Sequence, residues 1–247
     1  MSLLSAIKIE LTGLFDLLFP PVCPLCRQEL AERSPRALCP TCLGQLHPLP
    51  SPRCPRCALP FATEGGVDHL CETCLRQPPA FTRVVALGVY EGLLRESVHR
   101  FKFQNRINLD RPLARLLAEN LEQANPPCRP DLILPVPLHS QRLRQRGYNQ
   151  SLLLAEQLEK CWRIPVLPRL LVRTRPTPPQ QGLSVAVRQQ NLRGAFTLAT
   201  PLQGETVLLI DDVMTTGATV RECAQVLQSG GAGEVVVAVI GRALRHR

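Results

Sequence analysis

Between residues 83 and 241, short aliphatic runs take turns with longer stretches whose apolar positions recur every three or four residues. "RVVALGVY" (83–90), "DLILPVPL" (131–138), "VLLIDD" (207–212) and "EVVVAVIG" (234–241) are short and almost uniformly aliphatic, which predicts strands buried on both faces. "LARLLAENLEQA" (113–124), "NQSLLLAEQLEKCW" (149–162) and a stretch from about 216 to 228 carry helical spacing, and Asn149 stands where an N-cap would open the second of them. Strands that alternate with helices imply an α/β domain with a largely parallel sheet over 80–247. Ligands of such sheets bind at the carboxyl ends of the strands.

The first 19 residues show a different pattern. Leu4, Ile7, Leu11, Leu14, Phe15 and Leu18 repeat at helical spacing ahead of Pro20 and Pro21, which predicts an amphipathic helix over 1–19. Lys8, Glu10 and Asp16 interrupt its apolar stretch, so a secretory signal is not expected. Docking on the rest of the protein is expected rather than lying on a membrane surface. No run of 18 or more uncharged apolar residues occurs, so no membrane span is expected, and the expected location is cytoplasmic.

The segment 20–79 is rich in proline and poor in large apolar residues, and its pattern is one of cysteines. Eight of the chain's 11 form four C-x-x-C pairs: Cys23 and Cys26, Cys39 and Cys42, Cys54 and Cys57, Cys71 and Cys74. The first pair precedes the third by 31 positions and the second precedes the fourth by 32, and "LCPTCLGQL" resembles "LCETCLRQP", so two copies of one unit are implied. In a reducing compartment such cysteines read as metal ligands rather than disulfides. Four thiolates per unit close a tetrahedral zinc site with no open position, so two structural zinc ions are expected; an iron–sulfur cluster is the other occupant of four cysteines. The repeat favours sequential pairing, while the short intervals leave room for a cross-braced one. Chelation is expected to melt this module and leave the rest standing.

In "VLLIDDVMTTGAT" (207–219) the chemistry gathers at a strand end. Asp211 and Asp212 suit sugar hydroxyls or magnesium, while Thr215, Thr216, Gly217, Ala218 and Thr219 turn into a helix whose N–H groups and hydroxyls would face an anion. Acid pair and anion cradle together fit a sugar phosphate.

Those residues resemble, along the whole run, the 5-phosphoribosyl-1-pyrophosphate (PRPP) motif of type I phosphoribosyltransferases. The resemblance implies that the acids hold the ribose hydroxyls and that T-T-G-A-T holds the 5'-phosphate, with Mg2+ accompanying PRPP. "LPVPLHSQRLRQRGYNQS" (134–151), "RTRPTPPQQGLSVAVRQQNLRGAF" (173–196) and "HRFKFQNR" (99–106), with C-x-x-C pairs ahead of them, are similar to the ComF family and most to its GntX branch, from about Cys23 to Arg242. The fold so implied is α/β, a type I phosphoribosyltransferase-like parallel sheet flanked by helices, with a small N-terminal zinc-ribbon-like module. Arg142, Arg144 and Arg146 then fall on the family's pyrophosphate loop, and Gln180, Ser184, Arg188 and Asn191 on a mobile cover. Arginine's planar fork suits pyrophosphate. The family is associated with DNA uptake in natural transformation, its GntX branch with external DNA as a nutrient.

Two activities remain open at the level of sequence. One is an enzyme that uses PRPP with an acceptor the sequence does not name. The other is a non-catalytic protein that binds single-stranded DNA, or a scaffold for the uptake machinery. Net charge +9 and an isoelectric point near 9.3 suit the second. Arg100, Phe101, Lys102, Phe103 and Arg106 would offer stacking surfaces among charges, unless the alternating Phe residues are a strand's inner face.

Overall fold

The fold is that of a computed structural model, which describes residues 20–30, 38–63, 65–175 and 191–244. The helix expected over 1–19 lies outside the described residues, as do Gln180, Ser184 and Arg188.

Four parallel strands form the sheet: β1 (Arg83–Val89), β2 (Leu132–Pro135), β5 (Thr206–Met214) and β6 (Glu234–Arg242), in the order β1-β6-β5-β2. A parallel bridge from Ile133 to Val166 continues the order beyond β2. The aliphatic runs are continuous because both faces of the sheet are covered. Along β5, Val207 and Leu209 enter one core and Leu208 and Ile210 the other; along β6, Val235, Val237 and Val239 oppose Val236, Ala238 and Ile240.

Helices α3 (Gly92–Phe103), α4 (Asp110–Gln123), α6 (Gln150–Trp162) and α7 (Ala218–Ser229) cover the sheet, while the short α5 (Ser140–Arg146) buries none of its residues. Helices α3, α4 and α6 pack on one face through Leu94, Val98, Phe101, Leu113, Leu117 and Leu154. Helix α7 covers the other with Val220, Ala224 and Leu227, together with an antiparallel pair, β3 (Leu171–Arg173) and β4 (Phe196–Leu198). Asn149 caps α6 as expected: its Oδ1 accepts from Ser151 N–H at 3.0 Å and its Nδ2 donates to Val136 O at 3.1 Å.

The segment "HRFKFQNR" is not a strand. Its residues 99–103 end α3, because Leu94, Val98 and Phe101 keep helical spacing and bury one face, and Gln104 is the C-cap. The arginine-bearing stretch after β2 is a helix too, α5, closed by Gly147 at φ 83°.

Two short helices, α1 (Pro40–Gly44) and α2 (Glu72–Arg76), belong to the cysteine-rich segment, whose two units straddle the sheet. Cysteines 23, 39 and 42 join the core of α3 and α4, whereas Cys54, Cys57, Cys71 and Cys74 join that of α7. Between the units the chain crosses the carboxyl end of β1, where Val89 N–H donates to His47 O at 2.9 Å. A Cβ on Gly88 would stand 2.3 Å from that carbonyl oxygen. Gly88→Ala is therefore expected to push the crossing segment off the sheet at a cost of about 1–3 kcal/mol, read as a lowered midpoint in thermal unfolding. An unchanged midpoint would contradict this packing.

Candidate functional site

Each cysteine unit repeats one local design. In the first, Arg27 N–H returns to Cys23 O at 2.8 Å and Cys23 N–H reaches Gln28 O at 2.8 Å; in the second, Ala58 N–H returns to Cys54 O and Cys54 N–H reaches Leu59 O, at 2.8 and 2.9 Å. Arg27 and Ala58, each directly after the second cysteine of its pair, take positive φ (65° and 55°) to close these turns. The second pair of each unit opens α1 or α2, with Cys39 and Cys71 as N-caps. The sulfurs of Cys23, Cys26, Cys39 and Cys42 lie within 4.8 Å of one another, as do those of Cys54, Cys57, Cys71 and Cys74. Pairing is thus sequential.

The donor sets fit zinc. A tetrahedral ion at about 2.3 Å sets its sulfurs about 3.8 Å apart, and Cys26–Cys39 and Cys57–Cys71 stand at 3.5 and 3.7 Å. Burial opposes the thiolates of Cys23 and Cys54, yet backbone N–H groups aimed at each sulfur bring both down to about 7. His69 is no ligand: its ring stacks on Phe61 at 4.1 Å and its Nδ1 faces Val67 O at 3.0 Å.

The two acids sit at the far end of the sheet's central strand. β5 runs past them to Met214, so they lie within its last turns of pleat rather than beyond it. Asp211 Oδ1 accepts from Ser151 Oγ of α6 at 3.2 Å and from Asp212 N–H at 2.9 Å. Asp212, buried, holds the Lys102 ammonium of α3 at 2.7 Å. Desolvation and the neighbouring Asp212 carboxylate push the Asp211 carboxyl up to about 7. Burial opposes the charge on Lys102, but Asp212 and Asp211 hold it above the usual lysine range.

After Met214 the chain turns through Thr215 and Thr216 to Gly217, the N-cap of α7. Gly217 has φ 78°, a conformation that favours glycine, while the Met214 Cε that a Cβ would meet at 2.4 Å is the end of a flexible side chain that can swing aside. Ala218 and Thr219 form the first turn of α7, where the N–H groups have no partner within the helix. Arg242, the last residue of β6, lies beneath this turn and is almost fully buried, with its Nη1 donating to Met214 O at 3.0 Å and Thr215 O at 2.7 Å.

One arginine, Arg173, lies close enough to feel the charge of Asp211, and Arg142 lies close to Arg173. Arg142 and Arg146 of α5 are half-buried and Arg144 is exposed. Arg173, at the end of β3, stacks over Phe196 at 5.4 Å. Burial first, and then Arg142, hold the Arg173 guanidinium below the usual arginine range. Asn191, half-buried, offers its carbonyl to Arg175 at 3.0 Å.

The expected DNA-contact cluster does not form one surface. Phe101 is fully buried and cannot stack on a base, and Lys102 is committed to Asp212. Arg100 donates to Leu25 O at 2.7 Å and to Glu96 at 2.6 Å. Phe103 and Arg106 are exposed, the former with Arg146 over its ring at 5.0 Å. A cleft of about 1440 Å³ opens beside Phe103, between α3, the second cysteine unit and the turn after β5; Tyr90, His99, Thr215 and Thr216 also line it. The sequence reading found neither this cleft nor Arg173 and Arg242, and it placed Lys102 in a DNA-contact patch rather than beside Asp212. The helical spacing of Leu94, Val98 and Phe101 was the available signal for Lys102, which it places one position from the buried face.

A parallel sheet that delivers an acid pair just ahead of a helix N-terminus, with a pair of four-cysteine units, defines a phosphoribosyltransferase-type domain with a double zinc ribbon. In agreement, a double zinc ribbon domain matches residues 14–75 and a phosphoribosyl transferase domain residues 163–245. The chain is 38% identical over 228 residues to the DNA utilization protein YhgH of Salmonella typhi, covering 91% of this chain and 98% of that protein. It is 36% identical over 221 residues to competence protein F of Haemophilus influenzae, covering 83% and 96%. The competence protein ComFC of Bacillus subtilis is 25% identical over 233 residues (87% and 92%). The chain belongs to the ComF family. Among solved structures, the glutamine PRPP amidotransferase from B. subtilis aligns with 58% of this chain and 30% of its own at TM-score 0.39 and 22% identity. No helix among the described residues is long and apolar enough to cross a membrane.

The ribbons' place in the two cores alters the expected outcome of chelation. The purified chain should carry two zinc ions by elemental analysis, one per cysteine cluster, and stripping them should lower the unfolding midpoint of the α/β domain as well as melting the ribbons. An α/β transition that ignores metal removal would contradict this.

Proposed function

We propose that the chain binds PRPP with Mg2+ at the end of β5 and serves in the uptake of DNA or its use as a nutrient. The observation that carries this reading is the meeting of Asp211, Asp212 and the Thr215–Thr219 turn at the carboxyl end of a strand buried on both faces. The acids would receive the ribose hydroxyls. The N–H groups and hydroxyls of Thr215, Thr216, Gly217, Ala218 and Thr219 would receive the 5'-phosphate. By the family resemblance, Arg142, Arg144 and Arg146 would grip the pyrophosphate, and Gln180, Ser184, Arg188 and Asn191 would supply a cover.

Mg2+, when bound with PRPP, offsets the charge of the pyrophosphate. The chain's own residues do the rest. Lys102 neutralises Asp212 until ligand arrives, which keeps a buried acid pair tolerable. Breaking the anomeric C–O bond builds oxocarbenium character, which carboxylates held on the ribose hydroxyls would stabilise through space. An acceptor would lie in the cleft beyond Thr215 and Thr216. The names of the relatives support the biological role, and the exposed Phe103 with Arg106 supports single-stranded DNA as a partner. The second reading, a non-catalytic DNA-binding scaffold, rests on that same exposed edge.

Asp212→Asn should retain the fold and weaken Mg·PRPP binding by about 10–100-fold in calorimetry, the cost of a charged acceptor lost. Wild-type affinity in that variant would overturn the site.

The pH dependence follows from Asp211. Its carboxyl is raised to about 7 in the folded protein, so ionisation opposes folding: the unliganded protein should lose stability as pH rises from the ordinary carboxylate range through about 7. Ligand binding needs the ionised form, so affinity for Mg·PRPP should rise over the same window, by at most about tenfold per pH unit. A flat pH profile of affinity, measured between acid and mildly alkaline buffers, would contradict this role of Asp211.

A further inference from the structure

We propose that the second zinc ribbon is a working part of the phosphate-binding turn: Arg242 is a positioning residue that ties the two together, and zinc at Cys54, Cys57, Cys71 and Cys74 sets the affinity for PRPP. The inference rests on the PRPP reading of the site and names what regulates it.

Arg242 stands between metal and turn. Its Nε donates to Cys57 O at 2.9 Å, and its Nη1 to Met214 O, Thr215 O and Ala243 O at 3.0, 2.7 and 2.7 Å. Ala243 N–H also donates to Met214 O, at 3.0 Å. A trans peptide points its C=O and N–H in opposite directions. Two successive carbonyls turned toward the buried guanidinium therefore turn the N–H groups of Thr215 and Thr216 away from it, to the side where a phosphate would sit. The orientation of these donors thus depends on a side chain that holds Thr215 O and shares Met214 O with the Ala243 N–H, and whose own position depends on a carbonyl of a zinc ligand.

A second tie joins the ribbon to the helix that follows the turn. Arg221, one turn into α7, donates to Gln77 O at 3.0 Å and to Cys74 Sγ at 3.5 Å, and covers the Phe81 ring at 5.9 Å. The apolar packing agrees, since the four cysteines of this ribbon share a core with Met214, Ala218 and Val220. Zinc would hold the Cys57 carbonyl and Cys74 sulfur where these arginines need them. The first ribbon is placed otherwise. Its buried cysteines pack with α3 and α4, and Arg100 of α3 holds Leu25 O. Among the described residues its arginine tie is to α3 rather than to the turn after β5.

The two sites should therefore differ in their effect. In the full chain, Arg242→Met should keep both zinc ions and a native circular dichroism spectrum. It should also speed amide hydrogen exchange at Thr215 and Thr216 and weaken Mg·PRPP binding by about 10–100-fold, as loss of an outer-shell partner does. A chain with Cys23→Ser and Cys26→Ser should lose one zinc ion yet stay within about threefold of wild-type affinity. Wild-type affinity and exchange in Arg242→Met, or an equal loss in the first-ribbon variant, would overturn the coupling. Should Arg242→Met fail to fold, Arg221→Met removes the Cys74 contact from α7 and should give the same pattern with a smaller loss. If the wild-type chain binds no PRPP, the PRPP reading falls by itself, while the exchange rates of Thr215 and Thr216 still decide whether Arg242 orders the turn.

Discussion

A strand buried on both faces can carry charge only where partners wait for it, and the site is built around that constraint. β5 brings Asp211 and Asp212 out of two aliphatic cores at once. Ser151 of α6 meets the first acid and Lys102 of α3 the second. Two separately positioned helices thus converge on two consecutive residues of β5, so a change in how α3 or α6 packs reaches the acids directly. The same convergence desolvates Asp211 and leaves it titrating near neutrality, in the range where binding of a magnesium-bearing ligand can be coupled to proton release.

The zinc ribbons are smaller than an independent core requires, and the structure shows how that is met. Each ribbon closes its own turns through a shared pattern of backbone hydrogen bonds, and each then adds its cysteines to one face of the sheet. Metal binding and burial are therefore not alternatives here. The close approach of His47 to Gly88 fixes where the chain passes from one face to the other. Because the crossing is at the carboxyl edge, the second ribbon arrives beside the turn that follows β5.

Much of this was legible in the sequence where the signal is local. The strands showed as uninterrupted aliphatic runs, the four C-x-x-C pairs as a repeat, and the acid pair with T-T-G-A-T as a contiguous motif. What was missed depends on tertiary register. Arg242 looks in sequence like a basic residue after a strand, yet the strand carries it under Thr215. Phe101 and Lys102 look like an exposed basic aromatic patch, yet α3 buries the one and turns the other to Asp212. The helix could have been read from Leu94, Val98 and Phe101, but short apolar spacing with only one repeat per turn is weak against two alternating Phe residues. Arg173 reaches the site only because β3 pairs with a strand 23 residues further on, from Arg173 to Phe196.

The central claim is that the carboxyl end of β5 is a PRPP site. Calorimetric titration of the zinc-loaded chain with PRPP, in the presence and absence of Mg2+, tests it most directly, because no acceptor need be known. The account predicts saturable binding at one site per chain that depends on Mg2+. A chain that carries both zinc ions, shows native circular dichroism and still gives no saturable heat would contradict it.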